Sequence, residues 1–269
     1  MPYWRLSSIY FFYFSVVGAL SPYWGLYLQN LGFRPEQIGA LVAVPMLTKL
    51  LAPNLWSWLS DRSGKRLLVI RLGSLGACVA FVGIFLWPQT YLNLMIIVAL
   101  YSVFWNAVLP QFEATTLSFL GDKVHDYSKV RVWGSVGFIV SVVALGAMFE
   151  SVSILWLPSV ILFLLVGIFA FTCALPPLQL DPPSAGEGKF LATLLANRVY
   201  LFYAVLFFLQ FSHGVYYGFF SIYLESYGYG KLLIGVVWAL GVISEIVIFI
   251  YVPRLFRRFT LYQLLLFAG

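Results

Sequence analysis

The sequence predicts an all-α polytopic membrane protein, and three observations carry that prediction. Of the 269 residues, 62% are hydrophobic and 19% aromatic while only 10% are charged, against roughly 25% charged in an ordinary soluble domain. The mean hydropathy is +0.92, which makes lipid rather than water the main solvent of the surface. Apolar runs of about 20 residues, the length that crosses a hydrocarbon core of about 30 Å at 1.5 Å rise per residue, recur along the whole chain. Backbone groups in hydrocarbon must bond internally, so each run is expected to be helical; a β-barrel would need shorter, alternating segments. Soluble enzymes and nucleic-acid modules are thereby excluded. The formal charge of +6 does not restore a polyanion partner, because Lys and Arg stand between long apolar runs rather than clustered on a solvated face.

Eight complete spans are expected near 6–28, 38–59, 67–87, 92–114, 131–149, 154–174, 199–224 and 232–252, with a ninth beginning at Leu261 and cut off at Gly269. Span 1 follows Arg5; it is too long for a signal-peptide core and has no small-residue cleavage pattern, so it is read as retained. Span 2 carries Lys49 midway and ends at Asp61, and span 4 is kinked at Pro110. Span 5 repeats Gly134, Gly137, Ser141 and Ala144 at helical spacing, a smooth face suited to close helix approach and sliding. Between spans 6 and 7, Leu175 to Arg198 holds Pro176, Pro177, Pro182 and Pro183 with Ser184, Gly186 and Gly188, which reads as a solvated linker ending in a short interfacial helix over Phe190–Asn197. The expected organisation is a six-helix bundle over 1–174, a linker over 175–198 and a partial second bundle over 199–269.

The flanks of these spans orient the chain. With the N-terminus in the cytoplasm, 13 of the 16 basic residues fall inside: Arg5, Arg62, Lys65, Arg66, Arg71, Lys123, Lys129, Arg131, Lys189, Arg198, Arg254, Arg257 and Arg258. Only Arg34 and Lys231 fall outside, with Lys49 inside a span, as the positive-inside rule requires. Cys78 and Cys173 each lie in an apolar run, which supports neither a disulfide framework nor a metal site.

An internal repeat crosses the linker. Tyr27, Leu28, Gly32, Ile38, Gly39 and Ala43 recur as Tyr223, Leu224, Gly228, Ile234, Gly235 and Ala239, always 196 residues on and without a gap. Both copies put a turn, Leu-Gly-Phe or Tyr-Gly-Tyr, at the same end, so the halves are parallel repeats about an axis along the membrane normal. Two such halves make about 392 residues, about 123 more than are present, which is the expectation for a truncated transporter.

Asp61-Arg62-Ser63-Gly64-Lys65-Arg66, between spans 2 and 3, combines an acid at a helix end, a glycine turn and bases beyond it, a latch that can break and reform. It resembles the loop 2–3 signature of the major facilitator superfamily: Gly, three residues, then Asp-Arg-x-Gly-Arg-Lys. Ser57 stands where that signature has its first glycine, and the last two bases are in the order Lys65-Arg66. The resemblance implies a major facilitator fold, truncated here to eight full helices and the start of a ninth. Tyr127 to Ser135, His213 to Phe219 and Ser244 to Phe249 further resemble the 3-phenylpropionate-transporter branch of the superfamily. That resemblance implies an importer of the bacterial inner membrane that couples uptake of an aromatic acid to a proton; composition by itself names no substrate.

An ionisable side chain at the bilayer centre costs about 3 kcal/mol on insertion scales, so each one within a span is a candidate for function. Lys49 in span 2 is read as the counter-charge of an anionic substrate, and the repeat maps it onto Glu245 in span 8. Glu245 and Glu113 are read as proton carriers, since a carboxyl in a low-dielectric cavity can exchange its proton in the physiological range. His213 either binds substrate or hydrogen-bonds between helices. Tyr23, Trp24, Tyr216 and Tyr217, with Tyr27, Trp105 and Trp238, are expected to line an aromatic pocket, although aromatics also serve interfacial belts. The expected partners are a small organic anion and the lipid bilayer, with no nucleic acid, a monomeric state and no cofactor beyond the coupling proton. Two rival readings stand beside transport. An intramembrane enzyme lacks His-Glu-x-x-His and Gly-x-Ser-x-Gly, and a non-transporting truncated membrane protein is to be separated by whether the downstream frame continues spans 9–12.

Overall fold

The structure is a computed structural model that describes residues 2–177, 197–258 and 263. Its helices are α1 (Tyr3–Asn30), α2 (Pro35–Ser63), α3 (Arg66–Leu86), α4 (Tyr91–Leu120), α5 (Tyr127–Ser151), α6 (Leu157–Cys173), α7 (Asn197–Ser226) and α8 (Lys231–Arg258). Seven stretches among the described residues are long and apolar enough to cross a membrane; one of them, Tyr91–Ser151, holds both α4 and α5, joined by the short helical turn Gly121–Asp126. The ninth span apart from Gln263, residues 190–196 of the expected interfacial helix and most of the linker lie outside the described residues.

Most helices overrun their expected spans at one or both ends, because hydropathy locates only the apolar centre and the caps set the limits. Pro35 opens α2 at a position where a missing N–H costs nothing, and Gln37 Oε1 accepts from the Arg34 N–H at 3.0 Å. Gly64 closes α2 in the left-handed conformation at φ +63°, its N–H donating to Ser60 O at 2.9 Å. Thr90 Oγ1 accepts from the Asn93 N–H at the start of α4.

The repeated sequence builds one turn twice. Gly32 and Gly228 adopt φ +82° and +83°, a region that favours glycine. The Gly32 N–H donates to Gln29 O and the Gly228 N–H to Glu225 O, both at 2.9 Å. The Phe33 N–H donates to Leu28 O and the Tyr229 N–H to Leu224 O, both at 3.2 Å. These turns mark one end of the bundle, the turn end; the Asp61 loop and Gly121–Asp126 mark the other, the loop end.

Helix α1 is the central post, wrapped by α5, α6 and α7, while α3 packs on α4 and α6, α2 on α4, and α8 on α5. At the α1–α5 seam a Cβ at Gly137 would run into the Phe11 carbonyl, and one at Gly18 would sit 2.9 Å from Phe138 O. Ser141 Oγ donates to Ser15 O at 2.8 Å and Ser15 Oγ to Gly137 O at 3.1 Å. The small-residue face of α5 is therefore pinned to α1 rather than free to slide, and it continues through buried Leu145, leaving Ala144 exposed. Helix α2 is mostly turned outward, and side-chain hydrogen bonds hold it to α4. Trp56 Nε1 donates to Val103 O at 3.0 Å, Asn106 Nδ2 to Pro45 O at 3.2 Å and Thr48 Oγ1 at 3.0 Å, and Gln111 Nε2 to Ser57 Oγ at 2.8 Å. Ser57, the departure from the loop 2–3 signature, is thus an acceptor for α4.

Candidate functional site

Two adjoining cavities lie among these helices, sharing Phe14, Val17, Ser21 and Tyr217 in their walls. The smaller, about 360 Å³, is enclosed by α1 to α4, with Tyr217 of α7 at its edge. Lys49 is the one charged side chain in its wall; the remainder includes Trp24, Tyr13, Trp105, Tyr101 and Asn106. Tyr13 and Trp105 stack with ring centroids 4.0 Å apart, and Tyr101 stacks on Trp105 at 5.7 Å, giving a continuous aromatic wall. The prolines inside α2 and α4, Pro45, Pro53 and Pro110, border the same space, and each leaves a carbonyl of the preceding turn without its helical N–H partner.

The larger cavity, about 1170 Å³, runs between α1, α4, α5, α7 and α8 and reaches Tyr127 and Ser128 at the loop end. It gathers Glu113, Arg131, His213, Tyr216, Tyr217, Trp238 and Glu245. Three of the four ionisable groups read from the sequence therefore share this space, and Lys49 faces the chamber beside it. Glu113 Oε1 lies 3.5 Å from Arg131 Nε and 3.5 Å from Tyr127 Oη. Glu245 and Lys49 take part in none of the five ion pairs among the described residues. His213 Nδ1 lies 2.7 Å from Leu209 O, and since a carbonyl only accepts, Nδ1 is the donor in this contact. Trp238 Nε1 donates to Ser221 Oγ at 3.0 Å, tying α8 to α7 beneath the Tyr216 ring.

Tyr23 stands apart from both chambers. It is fully buried at the turn end, its hydroxyl donating to Val142 O at 2.5 Å with Lys231 O 3.4 Å away, so it joins α1 to the α5–α8 contact. Trp24, its neighbour, lines the smaller cavity and stacks on Tyr27. The loop motif forms its own cluster: Arg66 Nη2 lies 3.6 Å from Asp61 Oδ1, and the Arg62 guanidinium sits 5.4 Å from the Trp58 ring centroid. Lys65 is exposed and precedes the first residue of α3.

Arg131 is the site residue that sequence reasoning does not include in the site. Hydropathy puts it at the first position of span 5, among the flanking bases. The helix begins at Tyr127, a turn earlier, which carries the guanidinium into the cavity, 4.2 Å from the Phe14 ring centroid and 5.3 Å from that of Tyr10. Its spacing of 18 from Glu113 across a short turn is the signal that pairs the two. Among the described residues no group of His, Cys, Asp or Glu has the makings of a metal site.

A family model described as the MFS_1 like family matches residues 3–269. The chain is 31% identical to the probable 3-phenylpropionic acid transporter of Escherichia coli (strain K12), over 98% of its own length and 70% of that protein. It is 25% identical to maltose permease of Geobacillus stearothermophilus, over 97% of its own length and 66% of the permease. The crystal structure of nucleoside transporter NupG has the same fold, with a TM-score of 0.80 at 18% identity over 96% of this chain and 68% of that one.

Proposed function

Because this chain belongs to the MFS_1 like family and carries the major facilitator fold, we propose that within secondary transport its task is proton-coupled uptake of a small aromatic carboxylic acid by alternating access. The observation that carries the proposal is the pair of adjoining chambers, one aromatic with Lys49 as its sole charge, the other holding the carboxyls of Glu113 and Glu245. A carboxylate leaving water needs a counter-charge, and Lys49, which has no ion pair among the described residues, supplies it; the Tyr13–Trp105–Tyr101 wall receives the ring. Tyr217, common to both chambers, and Tyr216 and His213 beside it face the ligand from α7.

Proton coupling requires a carboxyl that is neutralised by a proton in one stage of the cycle. Glu113 is already opposite Arg131, whereas Glu245 has no cation beside it among the ion pairs described, so the proton belongs first on Glu245 and second on Glu113. One anion with one proton makes an electroneutral cycle. The loop-end cluster of Asp61, Arg62, Gly64, Lys65 and Arg66 acts as the conformational latch, facing the cytoplasm by the distribution of basic residues, with the protein working as a monomer in a bacterial inner membrane. The relative 31% identical to this chain bears the name of an aromatic-acid transporter, which supports the substrate class. Uptake of labelled 3-phenylpropionate into proteoliposomes under an imposed pH gradient tests the reading. Accumulation that follows the gradient is expected; equal uptake with and without the gradient, or none, overturns it.

A further inference from the structure

The contacts between α7–α8 and α1–α5 that glycines permit all fall in the half nearest the turn end. Gly25 faces the Gly218 carbonyl, Gly39 the Phe219 ring, Gly146 the Lys231 carbonyl and Gly235 the Val142 carbonyl. The larger cavity, by contrast, reaches the first turn of α5 at the loop end. The turn end is therefore the closed end.

Its closure rests on a contact that the sequence does not suggest. Glu150, one residue before the end of α5, places Oε1 2.9 Å from the Leu232 backbone nitrogen and accepts its N–H. Leu232 is the second residue of α8, where backbone N–H groups have no intrahelical partner and the helix dipole is positive. The nearby ammonium of Lys231 is engaged elsewhere, 3.1 Å from Glu225, so the partner of Glu150 is the helix end itself. Space for the carboxylate exists because residue 230 is glycine: a Cβ there would lie 2.5 Å from Glu150 Oε1. Below it α5 and α8 touch backbone to backbone. A Cβ at Gly146 would sit 2.7 Å from Lys231 O, one at Gly235 would collide with Val142 O, and the Tyr23 hydroxyl bridges the crossing from α1. Without interdigitated side chains such a joint separates and closes again with little repacking.

The geometry points to Glu150 as the gate residue of the turn end: its carboxylate on the N-terminus of α8 holds that end shut, and substrate entry from that side requires the contact to break. This rests on the proposed alternating-access transport, in which Glu150 is a positioning residue that sets the balance between the two open states and touches no substrate.

Accessibility tests it without any substrate. Ile234, fully buried one turn into α8, is changed to Cys in the full-length protein with Cys78→Ser and Cys173→Ser, and a membrane-impermeant maleimide is added on the turn side. Labelling should be about tenfold faster with Glu150→Ala than with Glu150 present, the ratio to which 1.4 kcal/mol corresponds at 25 °C. Glu150→Gln, which keeps an acceptor oxygen but no charge, should fall between. Equal rates in all three overturn the gate. Should Glu150→Ala fail to insert, the pair Glu150→Cys and Leu232→Cys decides: bridging it with a cleavable bifunctional thiol reagent should cut uptake at least tenfold, and cleavage should restore it. Undiminished uptake by the bridged protein also overturns the gate. If no acid is accumulated by any variant, the transport reading fails while the labelling rates still judge Glu150.

Discussion

Replacing Lys49 by Gln separates an electrostatic role from a structural one. The ammonium is the only charge in the wall of a cavity of about 360 Å³ and, among the described residues, stands in none of the ion pairs, so its removal strands no described carboxylate. Two unit charges 4 Å apart interact by about 4 kcal/mol at an effective dielectric constant of about 20. Lys49 is exposed within its surroundings, and solvent screening brings the net value of a charge-assisted hydrogen bond down to about 1.5–3 kcal/mol. Affinity for an aryl carboxylate should accordingly fall by roughly 10- to 150-fold. Affinity for the matching neutral amide should change by less than about threefold, since the glutamine side chain still hydrogen-bonds and the aromatic wall is intact. Trp24 and Trp105 line the same cavity, so quenching of intrinsic fluorescence on ligand titration reports binding directly, without a transport step. An equal loss of affinity for acid and amide would show that Lys49 holds the helices rather than the ligand.

Asp61→Asn should lower uptake while leaving expression and membrane insertion unchanged, because it removes the partner of Arg66 at the loop end and nothing inside the bundle; normal uptake would sink the latch. Glu245→Gln should abolish accumulation driven by a pH gradient while substrate exchange persists, with Glu113→Gln as the second carrier to test, and accumulation surviving in both variants would remove the proposed proton sites. Gly137→Val should destabilise the purified protein by about 1–3 kcal/mol through overpacking against Phe11, read as a lower melting temperature in detergent, and an unchanged midpoint would contradict the close α1–α5 seam.

The spans were legible because about 20 consecutive apolar residues have one stable use, and the α1–α2 and α7–α8 turns were legible because the repeat preserved their glycines. What sequence could not convey is which residues of different helices meet. Arg131 looked like a flanking base because hydropathy fixes the middle of a span better than its first turn. Tyr23 and Trp24 are neighbours of the same character, yet one carries a hydrogen bond at the α5–α8 joint and the other faces a cavity. Their difference is the 100° between successive residues of a helix, which has meaning only once the surrounding helices are placed. Glu150 goes unmarked in the sequence for the same reason, since its partner is a backbone group 82 residues away.

The bonds that fasten α2 to α4 also set a clock on biosynthesis. Their partners are separated by 47 to 61 residues of chain. At a synthesis rate of about 5–20 residues per second, α2 waits roughly 2 to 12 seconds for the helix that accepts and donates those bonds. During that interval Ser57, Thr48 and the Trp56 indole have no α4 groups to bond, on a helix whose outward face carries Leu47, Leu50, Leu51 and Leu55. The nascent α2 then holds the Trp56 indole and Ser57 without their α4 partners, and a substitution that delays α4, such as a charge introduced near Val103, should lower yield before it alters transport.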